Sequence, residues 1–416
     1  MLAVHQVVHR VAWIFKTESV IMPAFLDAVA GDGALRGLLR GFLPVINRFG
    51  HSVPPLLYAE RLRRMPRKKV SLVITSALMA VPFLALSAMW LATEKKTQFW
   101  MPFVFLALYA VFFMVTGLNQ LGYGTLQGKL IRPHRRGRLL GWSGIAGSVC
   151  AIACAWFLLA RWLAIPDNEP GRIGGFGHIF AFVGMGFLLA SVISFFIREP
   201  ADAPAPSTGR PHAYLGSAWT LLREDAAFRR LVIVAMLFLT MQQLFPHFAA
   251  LGRQPLEERT GAIARQLMLW VVVQNAGTGL FAFLLGPFAD RYGYRLTLRI
   301  VVFIAAIIPV LALLLARGPN GGTAGRYWIP FFLLGLVPIT MRSLANYTLE
   351  LSPPDRHPHY LSTLTLCMGL PFVLSPLIGL LIDVVGFGPV FVGASALVTL
   401  AGLLTFGLKE PREDLR

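Results

Sequence analysis

The sequence predicts an all-α membrane protein of twelve transmembrane helices in two pseudo-symmetric six-helix bundles. Three observations predict it. Of 416 residues, 56% are hydrophobic and only 14% charged, where a water-soluble chain carries roughly a quarter charged residues. The apolar residues fall in long charge-free runs, and short features recur in the same order in the two halves.

Ten runs lack Asp, Glu, Lys and Arg: Val70–Thr93, Gln98–Gln127, Leu139–Ala160, His178–Ile197, Leu231–Gly252, Gln266–Ala289, Ile300–Ala316, Tyr327–Met341, Tyr360–Ile382 and Val384–Leu408. Most reach the roughly 20 residues that cross hydrocarbon. Two further apolar segments, His9–Ala30 and Leu35–Ala59, carry internal charges and complete the twelve. The N-terminal segment does not read as a cleavable signal, because Arg10, Lys16 and Glu18 interrupt it.

The formal net charge is +18. Its distribution argues for topology and against a nucleic-acid partner. Arg61, Arg63, Arg64, Arg67, Lys68 and Lys69 follow segment 2; Lys129, Arg132, Arg135, Arg136 and Arg138 follow segment 4; Arg291, Arg295 and Arg299 follow segment 8. The alternate loops are thinner in basic residues, which puts the first set and both termini in the cytoplasm and the chain in the inner membrane. Trp90, Trp100, Trp162 and Trp328 near segment ends read as interfacial anchors. Cys150, Cys154 and Cys367 lack metal-site or disulfide spacing and read as packing residues. His5 and His9 share a helix face but lack a third ligand nearby and read as interfacial. No metal site and no cofactor are expected, and the absence of Walker, HExxH and GxSxG motifs speaks against an enzyme.

The repeat is visible in four places. Phe195-Phe196-Ile197-Arg198-Glu199-Pro200 matches Phe406-Gly407-Leu408-Lys409-Glu410-Pro411, and Tyr58-Ala59-Glu60-Arg61 matches Phe288-Ala289-Asp290-Arg291. Asn119, Pro133 and Arg135 match Asn346, Pro354 and Arg356, while Thr17 and Pro23 match Thr240 and Pro246. A duplicated six-helix unit follows. The expected division is an N-terminal bundle 1–198, a Pro-rich cytoplasmic linker 199–225, a C-terminal bundle 226–410 and a tail 411–416.

The run Gly286-Pro287-Phe288-Ala289-Asp290-Arg291-Tyr292-Gly293-Tyr294-Arg295 resembles the G-x-x-x-D-R-x-G-x-R signature of the major facilitator superfamily. The earlier copy is degenerate: Leu56 replaces the first Gly, Glu60 the Asp and Arg63 the second Gly. The resemblance implies alternating access between two lobes. It also implies a gating latch from Glu60, Arg61, Gly286, Asp290, Arg291, Gly293 and Arg295, closed in the outward-open state. Gly141, Gly144 and Gly147 lack the proline of an antiporter signature.

In that superfamily, segments 1, 4, 7 and 10 line the central cavity. Intramembrane polar groups are costly and mark functional sites. On the segments so implied, the candidate substrate-binding residues are Lys16, Asn119, Gln120, Tyr123, Gln242, Gln243, His247, Arg342, Asn346 and Tyr347, with Arg48 of segment 2 beside them. Glu18 is the candidate proton-coupling carboxylate. Lys16 and Glu18, two apart on a helix, are not expected to pair, whereas Arg48 could partner Glu18. His247 could titrate or could be a packed imidazole. Arg342 suits a carboxylate or phosphate. The resulting expectation is a monomeric secondary transporter for a small polar or anionic solute, proton-coupled. The alternatives are a non-cycling scaffold or receptor, or a lipid-handling membrane protein.

Overall fold

A computed structural model describes the chain except residues 32–34, 94–96, 132, 166–173, 202–212, 255–259, 317–323, 354–355 and 411–416. The described residues are helical, with no strand among them. Ten helical spans are long and apolar enough to cross a membrane. Helices satisfy every backbone group within the segment, which hydrocarbon demands. The remaining two expected segments are helical but different. The first is broken into α1 (Leu2–Ile14) and α2 (Ile21–Ala30), and the second is the 29-residue α3 (Arg36–Arg64), whose charges set it apart from the apolar spans.

The chain continues through α4 (Lys68–Ala92), α5 (Met101–Leu130) and α6 (Pro133–Cys154), which runs through a π turn at Ala155–Leu159 into α7 (Ala160–Leu163), and then α8 (Phe176–Phe195). Next come α9 (Ala213–Glu224), inside the expected linker, α10 (Ala226–Phe238), α11 (Thr240–Gln243), α12 (Phe245–Arg253), α13 (Thr260–Tyr292) and α14 (Tyr294–Ala316). The chain ends with α15 (Trp328–Leu334), α16 (Val337–Leu351), α17 (His357–Gly369), α18 (Ser375–Val385) and α19 (Phe387–Leu404). Three breaks coincide with proline in the following first turn: Pro23 in α2, Pro246 in α12 and Pro338 in α16. Proline lacks the N–H that an uninterrupted helix would need there.

Two compact units result. The first comprises Met1–Gly33, Val45–Gly209 and Leu256–Val272; the second comprises Ala34–Pro44, Arg210–Pro255 and Val273–Arg416. Each half therefore contributes a short piece to the other unit, so neither unit is one contiguous stretch.

In the first unit α8 packs along α4, and α1 lies against α6 and α8. Phe25 of α2 is ringed by Trp90, Phe105, Phe176 and Phe180, with centroids 4.7–5.4 Å away. Edge-to-face contacts of this kind add to area burial. Trp90 is fully buried and donates Nε1 to Gly174 O at 3.0 Å. It is a core residue and not the expected interfacial anchor, because its ring completes this cluster. Cys150 is exposed, correcting its expected buried role. His5 is also buried instead of interfacial, held by Ala190 O at 3.1 Å and Ser194 Oγ at 2.9 Å.

In the second unit α14 packs along α19, and α10 lies against α19. Tyr327 Oη donates to Phe248 O at 2.8 Å. Asp225 caps α10, accepting from Phe228 N, and also accepts from Tyr360 Oη, each at 2.8 Å. The first turn of α3 belongs to this unit. There Gly37 N and Leu38 N donate to the Asp383 carboxylate at 2.7 and 3.0 Å. A Cβ on Gly37 would lie 2.2 Å from Gly379 O, and one on Gly379 would lie 1.9 Å from Gly37 O. Only glycine permits this backbone approach.

The repeated Glu-Pro motif also acquires a role. Glu199 accepts from Lys68 N at 2.9 Å, Lys69 N at 2.7 Å and Lys129 Nζ at 2.8 Å. A carboxylate thus caps the N-terminus of α4 and ties it to α5 and to the end of α8. In the second unit Glu410 lies against Gly293, where a Cβ would sit 3.2 Å from its carboxylate at the start of α14. Gly293 has φ +88°, the left-handed conformation that glycine adopts without penalty.

Candidate functional site

The first unit's polar constellation is built on the break between α1 and α2. Residues 15–20 leave the helix, and Thr17 receives Ile21 N on both its Oγ1 (3.2 Å) and its backbone oxygen (3.0 Å). Lys16 and Glu18 sit in this break. Without helical periodicity they can turn toward each other, and Lys16 Nζ donates to Glu18 Oε1 at 2.7 Å. This corrects the expectation that they would not pair. The Lys16 side chain is 0% exposed and that of Glu18 28%. The ammonium also lies 3.3 Å from the Trp13 ring centre and 4.4 Å from that of Phe113. An aromatic face stabilises a desolvated cation.

α3 and α5 supply the rest. Gly50 and Gly117 let their backbones meet: a Cβ on Gly117 would lie 2.2 Å from Gly50 O, and one on Gly50 2.4 Å from Phe113. That approach brings Asn47, Arg48 and His51 of α3 alongside α5. Asn47 Nδ2 donates to Glu18 Oε2. Arg48, the partner expected from sequence, is the next residue and is half-buried. His51 packs on Phe113 at 5.4 Å and hydrogen-bonds Gln120. The Tyr109 hydroxyl is buried with no hydrogen-bond partner among the described residues. Asn47, His51, Trp13 and Tyr109 escaped the sequence reading. The signal available was the spacing of Asn47, Arg48 and His51, which puts them on one side of a helix.

Two expected residues point elsewhere. Asn119 is buried and commits its amide to Thr75 Oγ1 and Ser76 Oγ, each at 2.9 Å, so it joins α5 to α4. Tyr123 stacks on His5 at 5.8 Å and packs against the cluster of Leu2, Leu72, Leu126 and Ile197.

In the second unit Gln243 is buried and donates to Pro371 O at 3.0 Å, across to the turn between α17 and α18. His247 is fully buried and Gln242 half-buried. Arg342 is exposed on α16. Asn346 Nδ2 donates to Tyr294 Oη at 2.9 Å at the start of α14, and Tyr347 Oη donates to Lys409 O beyond α19. Asn346 and Tyr347 therefore tie helix ends together.

Of the expected latch, Asp290, Arg291 and Gly286 are exposed at the end of α13, Arg295 lies on the first turn of α14, and Arg61 is exposed on α3. The Glu60 side chain lies outside the described residues. No set of three His, Cys, Asp or Glu residues is arranged to hold a metal among the described residues.

Comparison with known proteins agrees with this architecture. Residues 252–416 match the family model described as Major Facilitator Superfamily. No curated protein matches the chain in sequence. Among solved structures, a variant of the nucleoside transporter NupG superposes with TM-score 0.76 at 11% identity, covering 98% of this chain and 99% of that one. A D-xylose-proton symporter gives 0.67 at 13% identity over 99% and 98%. The xylose transporter XylE from E. coli, in a partially occluded inward-open conformation, gives 0.68 at 14% over 98% of each chain. The family model thus matches the C-terminal part of the chain, and the chain, with its ten helical spans long and apolar enough to cross a membrane, shares the fold of these transporters over its whole length.

Proposed function

We propose that this protein is a proton-coupled secondary transporter of a small polar, anionic solute, resident in the inner membrane with both termini cytoplasmic. The observation that carries the reading is the Lys16–Glu18 pair in a helix break, with the lysine wholly buried and the carboxylate partly open. A buried ammonium requires one anionic partner. When Glu18 is ionised it fills that role. When Glu18 takes a proton, Lys16 is released to bind a solute carboxylate or phosphate. Proton and solute thereby bind together through competition for one cation, which is the thermodynamic requirement for symport. Asn47 holds Glu18 in place in either state, and His51, Gln120 and Tyr109 offer neutral hydrogen-bonding groups for the remainder of the solute. In the second unit, exposed Arg342 is a separate candidate for binding an anion.

The structural neighbours named as nucleoside, xylose and oligopeptide transporters make such solutes sensible companions to small carboxylates in a screen. A thermal-shift screen on purified protein identifies the ligand, because a solute selective for the folded state raises its melting temperature. Uptake of the hit into proteoliposomes is then measured with and without an inward proton gradient. The proposal expects accumulation above equilibrium only with the gradient. Equal equilibration in both cases would remove proton coupling, and no flux of any ligand by folded protein would favour a non-cycling receptor.

A further inference from the structure

We infer that the first unit carries a binding site for the headgroup of an anionic phospholipid at the junction of α4 and α8. An open cavity of about 530 Å³ lies there, lined by Arg67, Lys69, Phe195, Phe196, Arg198 and Glu199 among others. Three cations face one carboxylate. That carboxylate is already committed to two backbone N–H groups at the start of α4 and to Lys129. The helix N-terminus is thus occupied by the protein itself, and the remaining charge belongs to the side chains. Lys69 Nζ donates to Phe195 O at 3.1 Å and Ile197 O at 3.0 Å, which spends two of its three protons. Arg67 and Arg198 are exposed and form no ion pair among the described residues. A dianionic or monoanionic phosphate ester is the ligand that two guanidiniums and an ammonium recognise.

The apolar surroundings decide which phosphate ester it is. Phe195 and Phe196 beside the basic groups are 64% and 61% exposed, and Val70, Ile74 and Val192 continue the exposed apolar surface along α4 and α8. In a membrane protein these surfaces meet acyl chains, and aromatic rings at a helix end mark headgroup depth. A soluble phosphate would use the cations and gain nothing from the aromatic and aliphatic rim. A phosphatidylglycerol-type lipid uses both, with its phosphate among Arg67, Lys69 and Arg198 and its chains along Val70, Ile74 and Val192. A basic pocket flanked by transmembrane helices on the cytoplasmic side is suited to such a headgroup.

The test is native mass spectrometry of the full-length protein in neutral detergent, titrated with phosphatidylglycerol and, separately, with phosphatidylcholine of the same chains. The site predicts selective retention of phosphatidylglycerol. Each basic residue near an anionic lipid contributes roughly fivefold in affinity, so R67Q/R198Q weakens phosphatidylglycerol binding by about 25-fold and leaves phosphatidylcholine unchanged. R67K/R198K, which keeps the charge, retains most of the selectivity and serves if the glutamine variant fails to fold. Undiminished phosphatidylglycerol binding by R67Q/R198Q, equal binding of the two lipids by the native protein, or loss of the lipid to millimolar inorganic phosphate would each overturn the assignment.

Discussion

Lys16 and Glu18 are only two residues apart, yet their side chains meet at 2.7 Å because the chain between α1 and α2 is not helical. On a continuous helix the two would diverge by about 200°. The break places a fully buried cation against a partly open anion, and the asymmetry sets what each loss does.

E18Q strands the buried ammonium with only Trp13, Phe113 and neutral groups, whereas K16M leaves a carboxylate that is 28% exposed and still bonded to Asn47. Without solute, E18Q should cost about 3 kcal/mol and K16M about half of that. The double variant should be no less stable than E18Q. Thermal unfolding in detergent gives the order; K16M proving the more damaging would contradict it. K16M should also lower solute affinity at least about tenfold, since it removes the cation the solute needs.

Glu199 holds three charge-assisted bonds at the start of α4. E199A should destabilise the protein by about 3 kcal/mol, and K129M, which removes one partially exposed partner, by about 1 kcal/mol. The melting temperatures of the two variants check the ranking. Equal effects would mean that the ion pair, and not the helix cap, dominates.

The contact of α3 with α18 depends on paired glycines. G37A and G379A each place a methyl within about 2 Å of a facing carbonyl, while a methyl at Gly124 meets nothing within 4 Å. Both should lower the melting temperature well beyond G124A, which should be near neutral or slightly stabilising. A harmless G379A would show that the helices can separate without cost.

Gly293 adopts φ +88°, and a Cβ there would stand 3.2 Å from the Glu410 carboxylate. G293A should cost about 1–2 kcal/mol from the left-handed conformation alone. E410A combined with G293A should not recover this loss, because the strain lies in the backbone. Recovery in the double variant would assign the cost to the carboxylate contact instead.

Much of the fold was legible because hydrocarbon permits few solutions: long apolar runs must be helices, and the duplicated features sit at equivalent breaks. Thr17 with Pro23 and Thr240 with Pro246, matched in sequence as part of the repeat, each lie at an interrupted helix. The Glu-Pro repeat was visible too, but its capping role needed the approach of α4 and α8, which no local pattern encodes. The candidate site was half legible. Lys16 and Glu18 stood out as charges in an apolar segment, but their pairing depended on a helix break. The hydrogen bonds of Asn119, Asn346 and Tyr347 to neighbouring segments were not legible, because a polar residue on a membrane helix can serve another helix as readily as a solute. Asn47 and His51 were missed because, among the many polar groups of α3, only the charge of Arg48 stood out, and the Gly50–Gly117 contact selects its neighbours.

In the proposed cycle a proton on Glu18 frees Lys16 for an anionic solute. Its most direct test is solute affinity measured by titration calorimetry across pH for the native protein and E18Q. Native affinity should tighten as pH falls, and E18Q should bind at least as tightly as the acidified native protein with no pH dependence. Native affinity indifferent to pH, or an E18Q protein that still tightens on acidification, would contradict it.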